Sequence, residues 1–107
     1  MTDKIVILTT CGSVEEAERI ARALVDGRWA ACVNVLPGVR SFYRWKGAIE
    51  DSTEVLLLIK SSRSLFAALR SELERWHSYE LPEVIALPVV EGSGGYLAWL
   101  EKELRVL

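Results

Sequence analysis

Apolar and polar positions along this chain recur with two different periods, and the switches between them outline its elements. Lys4 to Thr10 is a run of β-branched and apolar residues closed by Cys11-Gly12, which predicts a first strand ending in an easy turn. Ser13 followed by Glu16 reads as a capping box. Ala17, Ile20, Ala21 and Leu24 then form a stripe at helical spacing, closed by Gly27, so a helix is expected over 14–26. Ala30 to Val35 is a second strand, interrupted at Pro37-Gly38 and resuming from Val39 to Lys46. Residues 47–51 turn the chain, and Thr53 to Lys60 is a third, strongly apolar strand. Phe66, Leu69, Leu73 and Trp76 share one face of a second helix ending near His77. Glu83 to Val90 reads as a last strand, and Ser93 or its flanking glycines open a closing helix through Tyr96, Leu100 and Leu104.

The order βαββαβ plus a terminal helix predicts an α+β chain with a ferredoxin-like sandwich: an antiparallel sheet, a long hairpin between the second and third strands, and a C-terminal helix. In that topology the second strand lies at a sheet edge, where an extended strand invites pairing with another chain. Alternation puts Val39, Ser41, Tyr43 and Trp45 on one face of it and Arg40, Phe42, Arg44 and Lys46 on the other. The aromatic face is either core or an interface.

Composition narrows the function. With 107 residues, half of them apolar and 26% charged, residues 1–107 make one globular domain. A formal charge of −2 argues against nucleic-acid binding, which demands a basic face. The longest apolar run, Val55 to Ile59, is too short to cross a bilayer, and no signal-peptide pattern opens the chain. No membrane association and a cytoplasmic location are therefore expected. Two cysteines, Cys11 and Cys32, are too few for a disulfide framework, and both are expected reduced.

Two segments carry a family resemblance: Ala30-Ala31-Cys32-Val33-Asn34-Val35-Leu36-Pro37-Gly38 with its continuation to Gly47, and His77-Ser78-Tyr79-Glu80-Leu81-Pro82-Glu83. Together they resemble the CutA divalent-cation tolerance family, and Glu50, Glu54, Lys60, Leu87-Pro88-Val89 and 96–100 fall where that family places them. The resemblance implies a homotrimer whose hairpins pair between subunits, with clefts at the subunit boundaries. It also implies binding of divalent metal ions, copper first, and no organic cofactor. CutA resembles the PII-type signalling proteins in fold and assembly, so the alternative is a trimeric sensor or adaptor holding a small anionic ligand or a protein partner.

The candidate residues have competing readings. His77, the only histidine, is either a hydrogen-bonding residue at a helix C-terminus or, matching the family's histidine, a metal ligand completed by a neighbouring chain. Cys11 is a second metal candidate because a thiolate suits a soft or borderline ion, but Val14 stands where a Cys-x-x-Cys copper site would need its second thiol. Cys32 reads as a small apolar strand residue. Lys60, Glu54, Glu83, Tyr79 and Trp45 are either strand-end and loop residues in solvent or the lining of an inter-subunit ligand cleft. An enzyme is not expected. The loop after the first strand, Thr10-Cys11-Gly12-Ser13, lacks the arginine of a phosphate-cradling acylphosphatase loop, and no nucleophile and base stand at a telling spacing.

Overall fold

The computed structural model describes residues 2–107. Four strands, β1 (Lys4–Cys11), β2 (Cys32–Trp45), β3 (Ala48–Ser62) and β4 (Ile85–Pro88), form one antiparallel sheet in the order β2-β3-β1-β4. Helices α1 (Val14–Asp26) and α2 (Phe66–Trp76) cover one face, and α3 (Gly94–Glu103) closes the chain. This is the ferredoxin-like arrangement the alternating pattern predicts, with β2 at an edge.

The covered face holds the core. Ile5, Ile7 and Cys11 of β1 and Val55, Leu57 and Ile59 of β3 alternate inward and meet Ala17, Ile20 and Leu24 of α1 and Leu69 and Leu73 of α2. α1 starts as expected, with the Ser13 hydroxyl accepting the Glu16 N–H at 3.1 Å. The reciprocal half of the capping box is missing, because the Glu16 side chain is drawn elsewhere. Gly27 ends the helix without a left-handed backbone, which Arg28 adopts instead (φ 61°). A Cβ on Gly27 would stand 2.9 Å from Trp29, so what requires the glycine is the close packing of that indole.

Two boundaries differ from expectation, and two helical aromatics turn away from the core. β3 begins at Ala48 rather than Thr53, because the hairpin turns on two residues only, Lys46 and Gly47, both with positive φ (50° and 83°). Residues 48–51, Ala-Ile-Glu-Asp, are all exposed and carry no apolar alternation to announce a strand. β4 spans four residues, not eight. Pro88 has no N–H for the ladder, although the Val89 N–H still reaches the Lys4 carbonyl at 3.0 Å. In α3 the buried side chains are Leu100 and, just past the helix, Leu104; with half-buried Leu97 they pack on Ala31 and Leu65, while Tyr96 turns outward to stack on Trp99. Likewise Trp76 leaves the α2 core face and donates to Glu72 at 3.2 Å.

The hairpin projects along the longest dimension of a molecule measuring 44 × 25 × 23 Å. A forked pair between Arg40 and Asp51, with two contacts of 2.7 Å, ties its strands near the tip. Its aromatics are not core: Phe42 is 67%, Tyr43 44% and Trp45 36% exposed. The face opposite the helices is apolar as well, with Val6, Leu8, Leu56 and Leu58 half-buried and Leu36, Ile85 and Leu87 exposed. Leu57→Ala, which hollows the covered core, is expected to cost about 2–5 kcal/mol and to lower the urea midpoint without changing the denaturant slope.

Candidate functional site

His77 caps the C-terminus of α2 in extended conformation, and its side chain is completely buried. Nε2 lies 2.8 Å from the Thr10 carbonyl, which can only accept, so Nε2 carries the proton. Nδ1 then accepts the Tyr79 N–H at 3.1 Å. Both nitrogens of a neutral imidazole are thereby spent on backbone groups, and no lone pair remains for a metal. The hydrogen-bonding reading of His77 describes its place in the protomer.

Glu16, read from sequence as a cap, belongs to the same network. Its carboxylate accepts the Ser78 N–H at 2.7 Å and the Gly12 N–H at 3.4 Å and stands 4.0 Å from His77 Nδ1. Burial pushes the Glu16 carboxyl upward, but the hydrogen bonds from Ser78 and Gly12 outweigh it, and the net shift is below the usual value. These contacts tie β1, α1 and the loop 78–84 together. Cys11 Sγ lies 3.9 Å from His77 Nε2, also buried. Burial, reinforced by the charges of Glu16 and Glu54, pushes its thiol up to about 12, so it stays protonated. Thr9 shares the Cys11 face and is equally buried. Among the described residues no group of three or more His, Cys, Asp or Glu side chains comes together to hold a metal.

The other candidates divide into two places. Pinned by His77, Tyr79 directs its hydroxyl to Glu54, donating to Oε2 at 2.7 Å. Glu54 is only 6% exposed, a buried carboxylate satisfied by a phenol. Burial, then Glu54, raises the Tyr79 hydroxyl well above the ordinary phenol. Glu83 is also raised, by burial first and then by the charge of Glu54. Beside Tyr79 opens a cleft of about 350 Å³ lined by Tyr43, Trp45, Ser78, Tyr79, Glu80 and Leu81. Trp45, Tyr79, Glu54 and Glu83 thus gather at one end of the molecule. Lys60 does not join them. It sits six residues along β3 from Glu54, roughly 20 Å at strand rise, where its ammonium donates to the Tyr96 hydroxyl at 3.3 Å. Cys32 pairs across from Lys60. The largest concavity, about 1090 Å³, is a separate groove on the helical side that includes Arg19, Arg22, Trp29, Trp76 and Arg105.

No local signal links Tyr79 to Glu54, 25 positions apart in the chain, and Glu16 was hidden by its capping spacing. A pH profile checks the network. Glu16, with its carboxyl held below the ordinary glutamate range, stabilises the fold above that range, and the contribution is lost as pH falls through the lowered value. Glu16→Gln is expected to destabilise at neutral pH and to flatten the acid limb of the stability profile measured by thermal unfolding.

Comparison with known proteins agrees with this architecture. A family profile described as CutA1 divalent ion tolerance protein matches residues 5–103. The divalent-cation tolerance protein CutA of Thermus thermophilus is 45% identical over 97 residues, covering 91% of this chain and 94% of that protein. The human protein CutA is 48% identical over 93 residues, which span 87% of this chain and about half (52%) of that longer protein. The crystal structure of CutA from Xylella fastidiosa superposes with a TM-score of 0.94 at 43% identity, covering 97% of this chain and 100% of that one.

Proposed function

This chain belongs to the CutA1 divalent ion tolerance family, and on that premise we propose that it acts as a homotrimer that binds a divalent cation, copper(II) first, in the acidic cleft beside Tyr79. The observation that carries the reading is the set of carboxylates about Tyr79: Glu80 lines the cleft, Glu54 accepts from the Tyr79 hydroxyl, and Glu83 is near enough to Glu54 for that charge, after burial, to raise its carboxyl. Carboxylates held together in a partly dry site bind protons more tightly, and a divalent cation relieves the same repulsion. Among first-row divalent ions offered a common donor set, copper(II) binds most tightly. Two carboxylates leave coordination positions for water or for groups of a neighbouring copy. His77 and Cys11 do not fit as ligands in this protomer, since the imidazole has no free lone pair and the thiol stays protonated.

Two features support the trimer: the outer edge of β2 has no strand partner in the protomer, and the sheet face opposite the helices is apolar. Cation binding takes the place of the anionic-ligand reading, because Lys60 stands with Tyr96 while Glu80 lines the cleft and Glu54 lies behind its Tyr79 wall. The role is one of binding rather than catalysis. A cytoplasmic location belongs to the same proposal, supported by a chain whose two cysteines are too few for a disulfide framework.

Native mass spectrometry with and without equimolar Cu²⁺ tests assembly and stoichiometry together. The expected species has three times the 12.0 kDa chain mass and takes up copper in multiples of three. Glu83→Gln should abolish that uptake and Cys11→Ala should retain it. Uptake lost in Cys11→Ala and kept in Glu83→Gln would return the metal to the buried histidine and cysteine.

A further inference from the structure

We infer that the same cleft accepts an organic cation, an alkylammonium group, with the aromatic walls supplying what the carboxylates alone do not. The inference rests on the reading of the cleft as a cation site and names a second ligand class for it. Three rings, Tyr43, Trp45 and Tyr79, line a space of about 350 Å³, which suits a small organic ligand. A hydrated metal ion makes little use of such walls. A weakly hydrated ammonium gains from them, because its charge is attracted to the electron-rich ring faces. The chain supplies its own example: the Lys46 ammonium lies 5.7 Å from the centre of the Trp45 ring.

Apart from the Lys46 ammonium already set over Trp45, the charges near the cleft are acidic. Glu80 is part of its lining, Glu54 lies behind the Tyr79 hydroxyl, and Glu83 feels Glu54. No lysine or arginine lines it among the described residues. Tyr79 is also oriented before any ligand arrives. Its ring rests against the buried His77 at 4.8 Å between centroids and its hydroxyl is fixed on Glu54, so ligand binding need not order the wall. An anion would meet the Glu80 carboxylate with Glu54 behind the Tyr79 wall, and a neutral apolar molecule would use the rings while leaving Glu80 without a partner.

The test is calorimetric titration of the intact oligomer with n-butylammonium, tetramethylammonium and neutral n-butanol. Both cations are expected to bind, with n-butanol about tenfold weaker or more, the size of one cation–π contact combined with charge attraction. Trp45→Leu and Glu80→Gln should each weaken the ammonium several-fold while the native mass of the assembly stays unchanged. Equal affinity for n-butylammonium and n-butanol, or no ammonium binding at millimolar concentration, overturns the inference. The metal reading fails separately: ammonium binding without copper uptake removes the metal alone, and copper uptake without ammonium binding removes the organic cation alone.

Discussion

The buried imidazole of His77 is the contact on which the rest of the site depends. A neutral ring that gives its one proton to the Thr10 carbonyl and takes the Tyr79 N–H fixes the loop after α2 to the end of β1. Glu16 closes the arrangement from α1 by accepting Ser78 and Gly12. The consecutive elements β1 and α1 and a loop far along the chain therefore share one hydrogen-bonded knot, with burial making each unmade bond costly. Tyr79 emerges from the knot with its ring set, and the cleft exists because that ring has one permitted place. Gly12 belongs to the fit too: a Cβ there would lie 3.4 Å from the Tyr79 hydroxyl, at the limit of ordinary contact. His77 thus shapes the site through Tyr79 and touches nothing that could enter it.

The fold was legible wherever one face of an element is buried and the other is not. β1, the inner half of β3, α1 and α2 all show the period of their element, and the structure follows them. Legibility failed where both faces meet solvent. Ala48 to Asp51 extend β3 with no apolar alternation, and only the two-residue loop and cross-strand pairing hold them. Amphipathic aromatic residues misled in another way. Tyr96 and Trp76 sit at helical spacing with true core residues, yet each has a polar tip that finds a partner outside, so Leu97 supplies the packing expected from Tyr96. For the site, the family resemblance grouped Glu54 and Lys60 about an inter-subunit cleft; within the protomer they share a face of β3 but stand six residues apart along it.

That separation gives the open face of the sheet its order. Between Glu54 and Lys60 on β3 lie Leu56 and Leu58, flanked by Val6 and Leu8 of β1 and Leu36 of β2. At each end a charge is held by a tyrosine hydroxyl, which can donate or accept: Tyr79 donates to the Glu54 carboxylate and Tyr96 accepts from the Lys60 ammonium. Phenols suit this task because the ring adds apolar area beside the strip while the hydroxyl meets the charge. An apolar face bounded in this way can be covered along its middle without stripping either charge of its partner. Covering carries no penalty of an unpaired buried ion at the boundary, and at the acidic end the Tyr79 ring stands between buried Glu54 and the cleft.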